Sequence, residues 1–298
     1  MCNLPGPTPA GVAEAARCWQ GTCIAFSTEL VRTEVGCALS FDVADHVVLA
    51  LQMAVATTAG SLEIEQLVVE LDGRPVDVDD VPVDHGGRAH VIRCGAGHLT
   101  VAYRAVVGRP REVERSPTGA DRLIGVRPSR FCPSDLLEAF AEVELGSPAD
   151  PIERGRVVGD WVHGRLRYEL GSSGPLDTAV DTLLAGRGVC RDFAHLTVTL
   201  CRAAGIPARL ASVYAPGLSP MDFHAIAEVA AGDRWEIVDA TRLAPRHSLV
   251  RIATGRDAGD TAFSTTLDGS AELLNYEVTA FVLGDLQMDD HQTAVTLA

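Results

Sequence analysis

The sequence predicts an α+β protein: a β-rich, sandwich-like N-terminal domain, then a domain in which one helix packs on an antiparallel sheet. Three observations carry this. From about Thr22 to Val107 apolar runs and turn residues alternate roughly every 8 to 12 residues, the rhythm of antiparallel strands. Beyond residue 128 the apolar spacing turns helical. A Gly-Arg-Gly-Val-Cys block at 186–190 then opens an apolar run that Gly205 and Pro207 close, as a helix would begin and end.

A chain of 298 residues can bury two separate cores, and 47% hydrophobic with 22% charged residues is an ordinary globular balance. The division we read is a flexible N-terminus (1–21), a β-rich domain (22–110), a linker (111–127), a catalytic domain (128–285) and a frayed tail (286–298). Strands are expected at 46–55, 62–71, 88–94 and 99–107, with turns at Thr58–Ser61, Asp72–Pro75 and Gly95–Gly97. Pro, Gly and charge in GRPREVERSPTGADRL mark the linker. Ser134 is placed to cap a helix through Phe140, a second helix runs from Pro151 to Tyr168, and a third from Leu176 to Leu184. After the helix that starts near Cys190, ARLASVYA, FHAIAEVA and RWEIVDAT read as strands, the last two meeting around Gly232-Asp233.

Net charge of −15 argues against a nucleic-acid footprint or an anionic membrane surface, both of which require clustered positive charge. The eight cysteines form no Cys-x-x-Cys pair, so reduced thiols in a cytoplasmic protein are expected rather than a disulfide scaffold or a zinc ribbon. The N-terminus lacks the basic and unbroken apolar regions of a signal peptide, and no apolar stretch approaches the roughly 18 residues of a membrane helix.

Chemistry concentrates on Cys190, His224 and Asp239. The first N–H groups of a helix and its dipole favour an anion, so a cysteine there is placed to react as thiolate. The Cys190 backbone N–H is the natural oxyanion donor, with no second donor evident. If the hairpin centres between Ala231 and Gly232, His224 and Asp239 stand directly opposite, about 5 Å apart at Cβ, which suits a base and the carboxylate that orients it. Taken singly, each has a duller reading: a small buried side chain, a packed histidine, a hairpin carboxylate.

Arg191, Trp161 and Asp222 are further candidates for the cleft, Arg191 alternatively as a solvated side chain and Trp161, like Tyr168, as packing. His195 is expected to pack, and Asp192 to serve the positive helix end. Arg256, Asp257 and Asp260 suggest an ion-pair network. The spacing of His85, His90, Cys94 and His98 on separate strands does not fix a tetrahedral zinc site, so no metal or cofactor is expected.

The blocks PSRFCPSD (128–135), GRGVCRDFAHL (186–196), CRAAGIPAR (201–209), DFHAIAEV (222–229), RWEIVDATR (234–242) and RIATGRDAGD (251–260) resemble the bacterial transglutaminase-like proteins, often described as cysteine proteases. The resemblance implies a papain-like, transglutaminase-core fold with a β-rich domain before it, and a triad of Cys190, His224 and Asp239. Ile226 departs from the aromatic residue frequent after the family's His-Ala pair. What is implied is acyl transfer or hydrolysis at a protein or peptide amide through a thioester, water being the expected acceptor. A cross-linking transglutaminase and an inactive binding module are the alternatives. Oligomeric state is not legible.

Overall fold

The structure, a computed structural model, describes residues 32–108, 116–146 and 151–297. The expected N-terminus (1–21), the start of the first β region and Cys2, Cys18 and Cys23 lie outside the described residues.

The chain begins with β1 (Arg32–Leu51), β2 (Leu62–Leu71), β3 (Arg74–Pro75), β4 (Val78–Pro82) and β5 (Arg88–Val107). β1 and β5 pair antiparallel along their whole length, with a break in register between Val43 and His46, opposite Gly97 and Gly95. The Gly95–Gly97 stretch is therefore not the expected turn. Gly97 takes a φ of 147°, open to glycine, and the extra β1 residues make a bulge that bends the ribbon instead of reversing it. Both halves then turn Val35, Leu39, Phe41, Leu49, Ile92 and Val101 into one core.

Next come α1 (Gly119–Gly125), α2 (Glu138–Leu145), α3 (Pro151–Arg165), β6 (Arg167–Tyr168), α4 (Ala179–Ala185), β7 (Arg187–Gly188) and α5 (Cys190–Ala203). α1 falls inside the expected linker because Thr118 and Asp121 form a reciprocal capping box there. Ser134 caps nothing: it is buried in a short 3-10 turn (Ser134–Leu136) that precedes α2. α3 stops at Arg165, and Tyr168 instead pairs in parallel with Gly188, beside the start of α5.

The remaining strands are β8 (Ala208–Tyr214), β9 (Phe223–Ala231), β10 (Arg234–Val238), β11 (Val250–Gly255), β12 (Ser264–Gly269) and β13 (Glu272–Leu283). β10, β9, β8 and β11 form a four-stranded antiparallel sheet in that order. α5 is buried from Asp192 to Arg202. With α3 it closes one face of this sheet through Val158, Val162, Leu196, Leu200, Ala227 and Val229. An all-round buried helix fixes its first residue firmly, and that residue is Cys190.

β12 and β13 do not belong to that sheet. Both pair with β1, β13 from Arg32↔Leu283 to Asp42↔Glu272 and β12 from Val47↔Gly269 to Leu51↔Ser264, completing a single seven-stranded sheet. Residues 264–283, read from sequence with the catalytic part, thus return to the N-terminal sheet. The two sheets share a core in which Tyr214, Val250 and Ile252 join the N-terminal side chains, and the Tyr214 hydroxyl donates to the Met53 carbonyl at 2.7 Å.

The expected frayed tail is folded through residue 297. Ile237 N–H donates to the Val295 carbonyl at 2.8 Å, Val295 is buried, and the Arg246 guanidinium grips Asp289 at 2.7 Å. Backbone donors on the β10 edge and a buried arginine both need partners, and this segment supplies them.

Candidate active site

Two glycines deliver Cys190. Gly186, at φ 66°, ends α4 in the left-handed conformation. At Gly188 an added Cβ would stand 2.6 Å from the Asp192 Cβ, so only glycine lets the chain turn tightly into α5. Asp192 is wholly buried and accepts the Val189 N–H at 2.8 Å, which secures the first turn as the sequence reading expected. The Cys190 sulfur is half-buried and lies 3.9 Å from the Phe223 carbonyl oxygen.

His224 and Asp239 meet, though not by the expected register. The hairpin loop is Gly232-Asp233, so its centre lies between those residues and Val238 faces Ala227. Asp239 follows the end of β10 and reaches His224 on the diagonal, Nε2–H donating to Oδ2 at 2.9 Å. Side-chain exposures of 0% and 1% put the pair out of water. Thr241 completes it: its backbone N–H and its hydroxyl donate to Asp239 Oδ1 at 2.9 and 2.7 Å.

Electrostatics follow from that burial. Burial alone would lower the His224 pKa, but the charge and hydrogen bond of Asp239, with the Cys190 sulfur adding to them, hold it well above the ordinary imidazole value. Burial would likewise raise Asp239, yet His224 first and Thr241 second keep it below the usual carboxylate range. His224 Nδ1 is buried with no hydrogen-bond partner.

Residues 139–240, which include Cys190, His224 and Asp239, match the family model of the transglutaminase-like superfamily. A solved structure, a putative cysteine protease from Cytophaga hutchinsonii, is 30% identical, with a TM-score of 0.81 over 89% of this chain and 96% of that one. The chain belongs to the bacterial transglutaminase-like family. An uncharacterized protein of Mycobacterium leprae, ML0607, is 26% identical over 148 residues, and the match covers 46% of this chain and 52% of the relative, about half its length. Fold and family together support a thiol-based hydrolase or acyltransferase.

Within this transglutaminase-like frame the other candidates separate. Arg191 is only partly exposed: it donates to the Gly174 carbonyl at 2.8 Å, the Ser173 hydroxyl at 3.2 Å and Asp192 at 3.0 Å, clamping the loop after Tyr168 onto α5. Trp161 packs edge-on against Phe140 at 5.6 Å in the helical core. Asp222 stays at the site, half-buried before β9, where its Oδ2 accepts from the Tyr276 hydroxyl at 3.3 Å. His195 packs as expected, stacked on Phe131 at 5.4 Å, and burial pushes its pKa down to about 4. Arg256 and Asp260 pair at 2.9 Å, whereas Asp257 accepts the N–H groups of Phe131 and Gly259. Among the described residues His85, His90, Cys94 and His98 gather no metal-ligand cluster.

Sequence reasoning missed three contributors. Thr241 carried no signal beyond its place two residues after Asp239. Tyr168, read as packing, lies by Cys190: burial, then the charges of Cys190 and Asp222, raise its phenol pKa, and the Cys190 backbone N–H partly offsets them. Tyr276 comes from β13, more than fifty residues from Asp222 in the chain, and only the sheet topology brings it there. An aromatic series of Tyr214, Phe223, Phe263 and Tyr276, with centroids 5.7, 5.5 and 6.5 Å apart, carries the N-terminal sheet to the site's edge.

Proposed function

We propose that the protein hydrolyses an amide of a protein or peptide by thiol acyl transfer. The Cys190 sulfur adds to the carbonyl carbon while its proton is held on His224 Nδ1. Collapse of the tetrahedral adduct breaks the C–N bond, and His224 gives that proton to the departing amine. Water then enters, yields a proton to His224 and attacks the thioester. Carboxylic acid leaves, and the sulfur recovers its proton. Asp239, fixed by Thr241, keeps Nε2–H engaged and stabilises the imidazolium. The Cys190 N–H and the Tyr168 hydroxyl, both beside the sulfur, serve as donors to the oxyanion.

The single observation that carries this reading is the buried His224–Asp239 hydrogen bond of 2.9 Å, with Nδ1 left without a partner and the Cys190 sulfur near enough to help raise the imidazole pKa. The cycle uses no cofactor. A protein of this composition and charge suits the cytoplasm, and among the described residues no helix is long and apolar enough to cross a membrane. Incubation with peptide amides, assayed for new carboxyl groups and for ammonia or amine, tests the reaction. Loss of all product in Cys190→Ala with folding intact is the expected result. Stable incorporation of an added amine in place of hydrolysis would instead identify a cross-linking transferase.

A further inference from the structure

The carboxylate of Asp222 is the unexplained charge at this site. Its Oδ1 accepts the Phe223 N–H at 2.7 Å, and the carbonyl of the same residue lies 3.9 Å from the Cys190 sulfur. The backbone of one residue, Phe223, therefore bridges the carboxylate and the sulfur, and His224 stands two residues beyond Asp222. Asp192, Glu228 and Asp289 each hold an arginine. Asp222 is half-buried, yet among the described residues no arginine or histidine lies within ion-pair distance of it.

Keeping a carboxylate partly out of water without a cation at ion-pair distance is costly, and carboxylates perturbed in this way concentrate at functional sites. Burial raises the Asp222 pKa, with the Phe223 N–H, the Tyr276 hydroxyl and His224 offsetting only part of it. The surroundings also suit a cation. Tyr276 hydrogen-bonds the carboxylate, the Asp222 charge reaches Tyr168, and the two phenols remain 44% and 39% exposed. One ring comes from the seven-stranded N-terminal sheet and the other from the short β6–β7 pair beside α5, so two separate elements bring a phenol toward Asp222.

We infer that Asp222 binds a cationic group of the substrate, carried by the leaving amine, next to the Cys190 sulfur. This rests on the acyl-transfer reading only in assigning the leaving-group side. The cation preference itself can be measured without turnover.

The test uses three thiol reagents that share a two-carbon arm: cationic aminoethyl, neutral ethyl and anionic sulfonatoethyl methanethiosulfonate. Their rates at Cys190 are followed by peptide mass mapping in the wild type and in Asp222→Asn. The wild type should modify fastest with the cationic reagent. Asp222→Asn should lower the cationic-to-neutral rate ratio by about tenfold, as expected for one charge removed at close range in a partly desolvated site. Asp222→Glu should restore most of it. Using a ratio cancels any change in the thiol's own reactivity. An unchanged ratio in a folded Asp222→Asn protein overturns the inference. Failure of the acyl-transfer reading looks different: Cys190 would then react no faster than the other thiols with any of the reagents.

Discussion

His224 and Asp239 are diagonal neighbours across a two-residue hairpin, bonded at 2.9 Å although Ala227 and Val238 are the directly paired residues closest to them. The diagonal geometry leaves Thr241, beyond the strand, free to fold back on the carboxylate. Asp239→Asn keeps the shape and removes the charge. It should lower kcat by roughly 10² to 10⁴ with a smaller effect on KM. Because Asp239 raises the His224 pKa, its loss should also move the alkaline limb of the kcat/KM profile to lower pH, by roughly 1–3 units. Unchanged kcat with an unmoved limb would make Asp239 a hairpin residue only.

Thr241→Val deletes a hydroxyl that donates to Asp239 at 2.7 Å while keeping the backbone N–H that donates at 2.9 Å. The carboxylate loses one of its two fixed partners on Oδ1. We expect about a tenfold fall in kcat, equivalent to a typical hydrogen bond to a charged group, and a shift of the alkaline limb. Thr241→Ser should recover most of both. A loss of stability without any change in pH profile would assign Thr241 to the fold alone.

Tyr168→Phe tests the oxyanion site. The ring and its packing on Phe193 at 6.0 Å are retained and the hydroxyl beside Cys190 is lost. Loss of one donor of this kind should reduce kcat by roughly 10² to 10³, with KM little changed. Equal kcat in the two proteins would leave the Cys190 N–H to act with a different donor.

Glu228 tests the scaffold beneath the site. It is fully buried and bonded to Arg209 at 2.9 Å and to Arg251 at 2.8 Å. Burial would raise its pKa, but the two arginines bring it from an ordinary 4.5 to about 2. A folded pKa below the unfolded one contributes stability above about pH 4.5, and that stability is lost as pH falls towards 2. Glu228→Gln should therefore cost about 3–5 kcal/mol at neutral pH, since it leaves two buried guanidiniums facing each other. Its stability should also fall less steeply with acid. Denaturant midpoints at pH 7 and pH 3.5 measure both effects, and equal acid sensitivity in the two proteins would show that Glu228 is not the titrating group.

What the sequence disclosed depended on how local the physics was. Gly186, Gly188 and the apolar run after Cys190 specify a helix start within a few residues, and the start is where they place it. The hairpin was legible too, but its register was not. Shifting the loop by one residue changes every cross-strand partner, and Gly232 alone does not show which side of it the turn centres. Long-range pairing left no trace. Nothing in residues 264–283 distinguishes a partner of β1 from one of the catalytic sheet, so Tyr276 could not be seen at the site. Arg191 beside Cys190 looked like a cleft residue, whereas its donors are committed to a loop whose position only the fold reveals. Arg246 and Val295 tie down the tail through partners about fifty to sixty residues away in the chain.

If a single thiol, Cys190, carries the acyl group, intact-protein mass after mixing with an excess of a peptide p-nitrophenyl ester will show it. One added acyl mass is expected, mapped to the peptide containing Cys190, lost on standing in water and released at once by hydroxylamine. It should be absent from Cys190→Ala and slowed in His224→Ala. Acylation at another residue, or hydrolysis that continues in folded Cys190→Ala, would contradict it.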